Sequence, residues 1–144
     1  MTSVGSLIKA KSAQPVIHSV SPGQMVREAL ELMKHHDIGC VMVMEGTELA
    51  GILSERDYAR KMILSGRTSN DTAVRDIMTA DVICTSPEGS VDECLGLMNQ
   101  YGFRHLPVKD GDRVVGMVST GDLISQIIKE QQNTIDQLQQ YIAS

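Results

Sequence analysis

The chain repeats itself, and this limits its possible folds more than any other property. Shifted by 65 residues, Gly51-Ile52-Leu53-Ser54-Glu55-Arg56-Asp57 falls on Gly116-Met117-Val118-Ser119-Thr120-Gly121-Asp122. The register holds upstream without a gap: Ser21-Pro22 falls on Ser86-Pro87, Glu28 on Glu93, Met33 on Met98 and Val43 on Val108. Two copies of one supersecondary unit follow, each leaving an apolar sheet face that the other must cover.

Within each copy the apolar period changes in a fixed order. Val16–Val20 has strand character and is halted by Ser21-Pro22-Gly23. Val26, Ala29, Leu30 and Met33 then line one face of a helix. Cys40–Met44 and Leu49–Leu53 are strands around the turn Glu45-Gly46-Thr47, and Arg56–Leu64 is helical again. In the second copy Val82–Thr85 is a strand, and Ser90 and Glu93 have capping-box spacing. Leu106–Val108 and Val114–Val118 flank the hairpin turn Asp110-Gly111-Asp112. The fold class is α/β, with two β-α-β-β-α repeats packed about a pseudo-two-fold axis. Residues 8–66 form the first repeat, 67–128 the second and 129–144 a C-terminal helix extension, with Arg67–Thr72 as a linker.

The final helix carries Ile124, Ile128, Ile135, Leu138 and Ile142, spaced 4, 7, 3 and 4 apart, with Gln131 at the missing seam position. Two readings are open: a coiled-coil seam joining two copies of the chain, or a stripe packed on its own domain.

A net charge of −5 argues against a nucleic-acid partner. No apolar run is long enough to cross a bilayer, and a cytoplasmic location is expected. Cys40, Cys84 and Cys94 have no Cys-x-x-Cys spacing and no ligand spacing to the histidines, so buried thiols are expected and no metal site.

Ser54-x-x-Asp57 and Ser119-x-x-Asp122 stand at strand-to-helix junctions, where Ser-x-x-Asp is first of all a helix cap. The same geometry offers unpaired amides to a phosphate and a carboxylate to ribose hydroxyls. Arg104-His105 opens a buried strand, where a cation pairs with a carboxylate or meets a ligand anion. Arg56, Arg60 and Lys61 form a second basic cluster, or a solvated helix face.

Together with the doubled unit, Arg75-Asp76-Ile77-Met78-Thr79, Arg104-His105-Leu106-Pro107-Val108 and Gly116–Asp122 resemble a tandem pair of CBS (cystathionine-β-synthase) domains over roughly residues 8–128. The resemblance implies two clefts between the repeats that bind AMP, ADP, ATP, NAD(H) or S-adenosylmethionine. It also implies dimerisation into a flat disc. Carried onto this sequence, Asp122 holds a ribose and Thr120 or Ser119 a phosphate, with Ile83, Thr85, Leu106 and Val118 around the base. Asp57 is the equivalent acceptor of the first repeat, with Ile17, Ser19, Gly39 and Cys40 around its base. Arg104 and His105 reach phosphate across the shared cleft, and Ser54 and Arg56 belong to the first repeat's turn.

The repeats differ where the first has Glu55-Arg56 and the second Thr120-Gly121, so unequal sites are expected, the Thr120/Asp122 site being the surer binder. The expected function is a non-enzymatic adenine-nucleotide sensor acting on a partner protein in trans, with no membrane or nucleic-acid partner. The alternative is a ligand-independent dimeric adaptor working through the last helix. No nucleophile–base–orienter set supports an enzyme.

Overall fold

In the computed structural model residues 2–11 and 17–143 are described; Val16 of the expected first strand lies outside them. A helix, α1 (Val4–Lys11), precedes the repeats. The first repeat runs β1 (Ser19–Val20), α2 (Val26–His36), β2 (Cys40–Glu45), β3 (Glu48–Ser54) and α3 (Glu55–Asp57), which widens into a π-helical stretch (Tyr58–Ile63). The second runs α4 (Val91–Tyr101), β4 (His105–Asp110), β5 (Arg113–Ser119) and α5 (Thr120–Ala143). Both hairpins turn through a glycine of positive φ, Gly46 at 62° and Gly111 at 64°, where a side chain would be strained. Both carry the same register shift, after Val43 and after Val108. The chain is thus a mixed α/β fold of two repeats with a long C-terminal helix, and the repeats approach along β3 and β5.

Three parts of the chain depart from expectation. The strand expected at Val82–Thr85 is reduced to one parallel bridge, Thr85 to Val108. In the first repeat the equivalent ladder is extended by the Met42 amide donating to the His18 carbonyl at 3.1 Å. The counterpart of Met42 is Pro107, which has no N–H to offer the Ile83 carbonyl, and the ladder stops.

Arg67–Thr72 is more than a connection. Met25 stands at the N-cap of α2 without a capping oxygen, and the carbonyls of Thr72 and Ser69 accept from the Val26 and Arg27 amides at 2.8 and 3.0 Å. The linker therefore supplies the acceptors that a Ser or Asp cap supplies elsewhere. At α4 the cap is local: the Ser90 hydroxyl accepts from the Glu93 amide at 3.1 Å.

Helix α1 is the third departure, since the sequence reading assigns its residues no element. Val4, Leu7 and Ile8 are buried with Val91, Cys94, Met98, Leu106, Val108, Val118 and Leu123 of the second repeat. Reciprocally, Val74 and Ile77, at the start of the second repeat, are buried in the core of the first with Val26, Met33, Val41 and Leu53. Each core is closed by the chain that leads into the other repeat. On helix α5, Ile124, Ile128, Ile135, Leu138 and Ile142 are all exposed, Ile128 by 60%, so the stripe is not packed on its own domain.

Candidate functional site

The two strand-to-helix turns are built alike. Ser54 accepts at its hydroxyl from the Asp57 amide (3.1 Å), while Asp57 Oδ2 accepts from the Ser54 amide (3.0 Å). Ser119 and Asp122 repeat this exchange at 3.1 and 2.8 Å. Both aspartates therefore cap helices, as the spacing required. One carbonyl also fixes each turn: the Glu55 amide donates to Gly39 O at 3.0 Å, and the Thr120 amide to Arg104 O at 2.9 Å.

Asp57 does more than cap. Its Oδ1 accepts from the Thr79 hydroxyl at 3.2 Å and lies 3.3 Å from Lys61 Nζ. Thr79 is on the segment entering the second repeat and pairs with Ile52 of β3 in both directions, at 3.0 and 2.8 Å. A carboxylate of one repeat thus secures the lead-in of the other.

Two cavities lie along the seam. One of about 400 Å³ is lined by Ser119 and Asp122 of the second repeat and by Ile17, His18, Gly39 and Cys40 of the first, with Asp37, Ile38, Met42, His105 and Met117. The other, of about 530 Å³, joins Ser54, Glu55, Arg56 and Asp57 to Tyr101, Gly102, Phe103, Arg104 and His105, with Arg60, Lys61 and Thr79 on the same wall. Gly39 and His105 border both.

The grouping expected from the repeat is therefore crossed. Ile17, Gly39 and Cys40 stand in the cavity of Asp122, and Gly39 alone of the three also reaches that of Asp57. Leu106 and Val118 are fully buried in the second core, Ile83 packs against that core, and none of them borders either cavity. The Thr85 backbone is engaged with Pro107 and Lys109, and its hydroxyl receives the Cys94 thiol at 3.5 Å. Ser19 is an exposed β1 residue outside both walls. The Thr120 hydroxyl is turned to Met98 Sδ (3.1 Å) and Arg104 O (3.3 Å), which leaves Ser119 as the hydroxyl on the wall. Arg104 and Arg56 share the Asp57 cavity, Arg56 Nη1 donating to Gly102 O at 3.4 Å across the repeats. Wall residues that the sequence reading misses include His18, Asp37 and Thr79. Asp37 has a signal in its place at the helix end, where it takes φ 52°.

Electrostatics separate the cavities. The Asp57 cavity has Arg56, Arg60, Lys61 and Arg104 against Glu55 and Asp57, whereas among the described residues no Lys or Arg lines the other. The cations thus lie on the Asp57 side, whereas the sequence reading expects the Thr120/Asp122 site to be the surer nucleotide binder. Burial, and then the charge of His36, whose tilted ring lies 3.9 Å away, lowers the His18 pKa from its usual value. Burial and then the Asp57 charge push the Cys40 thiol up to about 12. Cys40 is therefore a neutral wall group at physiological pH. Alkylation of the native protein by iodoacetamide, read by mass spectrometry, should mark half-buried Cys84 first; rapid marking of Cys40 would contradict this placement. Among the described residues no group of three or more His, Cys, Asp or Glu is placed to hold a metal ion.

The fold and the paired turns define a tandem-repeat protein with two clefts at the seam, and the family model named CBS domain matches residues 9–64 and 74–129. The chain belongs to the CBS domain family. It is 37% identical over 139 residues to the CBS domain-containing protein CBSX3, mitochondrial, of Arabidopsis thaliana, covering 93% of this chain and 68% of that one. It is 36% identical over 115 residues to the CBS domain-containing protein YhcV of Bacillus subtilis, covering 79% and 81%. A solved CBS-domain protein from Burkholderia ambifaria superposes with a TM-score of 0.87 at 43% identity, over 90% of this chain and 96% of that one.

Proposed function

We propose that this chain is a non-enzymatic regulatory module that binds adenine nucleotides, AMP, ADP, ATP or NAD(H), at the seam between its CBS repeats and acts on a partner protein in trans. One observation carries the reading: each cavity is walled by the capped Asp turn of one repeat and the strand-entry turn of the other. A ligand seated there touches both repeats, so it binds one packing of them better than another and shifts the population between the two. The aspartates are the ribose acceptors and the cationic wall receives phosphate. The three free cysteines suit the reducing cytoplasm.

The test is thermal unfolding with each nucleotide. A ligand at about 100 times its Kd stabilises the native state by about 2.7 kcal/mol, a rise of several degrees in Tm. The 2′-deoxy analogues should give a smaller rise, because one ribose hydroxyl is missing. No shift with any adenine compound would favour the second reading, the ligand-independent adaptor.

The exposed stripe of α5 supports a homodimer in either case. Ile128, Ile135 and Ile142 take one heptad position and Ile124 and Leu138 the other, an arrangement suited to a two-stranded coil. A chain ending at Lys129 is expected to sediment as a monomer where the full chain sediments as a dimer; a dimer kept after truncation assigns the contact to another surface.

A further inference from the structure

The duplication gives each cation of the Asp57 cavity a counterpart in the other repeat, and every counterpart is uncharged. Arg56 corresponds to Gly121, Arg60 to Ser125, Lys61 to Gln126 and Arg104 to Gly39. Two copies of one unit thus yield one cavity with four cations and one with no Lys or Arg among the described residues, in a chain of net charge −5. Lys61 is engaged by Asp57 (3.3 Å) and donates to the Ile77 carbonyl (3.0 Å). Arg56, Arg60 and Arg104 are exposed, and among the described residues no ion pair engages them. Arg60 and Lys61 lie on the π-helical stretch Tyr58–Ile63, whereas the matching part of α5 is regular α-helix. Such π-helical turns gather at functional sites.

We infer that the Asp57 cavity is a polyphosphate site: it takes a nucleoside di- or triphosphate in preference to the monophosphate, with Arg56, Arg60 and Arg104 on the phosphate chain. The inference rests on the adenine-nucleotide reading above and narrows it. Each guanidinium is a planar fork that takes up two oxygens, and a single phosphate offers fewer oxygens than three forks can use. A longer phosphate chain supplies acceptors to both repeats at once. The Asp122 cavity, lined by Asp37, Asp122, His18 and His105, has no such demand.

Titration calorimetry of the full chain with ATP, AMP and inorganic tripolyphosphate, on wild type and the double variant Arg60→Gln/Arg104→Gln, tests this. Both arginines are exposed, and circular dichroism checks that the variant keeps its fold. Wild type should bind ATP at least about tenfold more tightly than AMP, and tripolyphosphate should compete with ATP. The double variant should lose that preference, its ATP affinity falling about tenfold further than its AMP affinity, which also weakens because AMP carries one phosphate. Equal ATP and AMP affinities in wild type, or a preference kept by the variant, overturn the inference and leave the adenine-nucleotide reading intact. Tripolyphosphate binding that the variant abolishes, with no adenine compound bound, sustains the anion site and removes the adenine reading instead.

Discussion

Gly51→Ala is expected to lower folding stability by about 3 kcal/mol, seen as a fall in the denaturant midpoint with an unchanged slope. A Cβ at Gly51 meets the Thr79 backbone oxygen at 2.5 Å and Met78 Sδ at 3.1 Å. The sulfur is the movable end of a flexible side chain, but the oxygen is held by its bond from the Ile52 amide. The methyl fits only if that pairing opens, which frees the lead-in to the second repeat and disturbs the wall that Thr79 provides. At Gly116, its counterpart, the nearest atoms all belong to the Ile8 side chain, at 3.0 Å and beyond, so Gly116→Ala should cost about 1 kcal/mol. Gly96 is exposed in α4, and a Cβ there would have nothing within 4 Å. Alanine at that position should add about 0.5–1 kcal/mol through helix propensity. A Gly51→Ala protein as stable as wild type would mean that the Ile52–Thr79 pairing does not hold the repeats.

Local patterns in the sequence foretell local structure. The face Val26, Ala29, Met33 and its repeat Val91, Cys94, Met98 are helices with those residues buried. The hairpins turn where Gly46 and Gly111 stand. What escapes the sequence depends on partners far along the chain. Val4, Leu7 and Ile8 have helical spacing, but one short turn of apolar residues has meaning only beside the second core that receives it. The strand at Val82–Thr85 has a suitable composition and fails because of Pro107, a residue on its neighbour. The paired aspartates are visible in the repeat, yet the repeat cannot say that the halves cross. Cys40, which belongs with Asp57 by position in the repeat, stands instead in the cavity of Asp122. The basic residues are visible too, but only the fold gathers Arg104 with Arg56, Arg60 and Lys61.

Asp57→Ala should have the other large effect, on stability and on binding together. The side chain is 14% exposed and accepts from the Ser54 amide, the Ser54 hydroxyl (3.0 Å) and the Thr79 hydroxyl, with Lys61 beside it. Removing it leaves the helix start with one reciprocal bond fewer and the Thr79 tie without an acceptor, a loss of about 3 kcal/mol. Thr79→Val, which removes only the tie, should cost about 1 kcal/mol, and the double variant should cost less than the two single losses combined because they share that bond. Binding should move in opposite directions for two probes. Tripolyphosphate should bind more tightly, since a negative charge has left a wall of cations, while AMP should bind more weakly for want of its ribose acceptor. Weakening of both probes to the same degree would point to collapse of the turn, and the Ser54–Asp57 exchange would then be the residue's whole contribution.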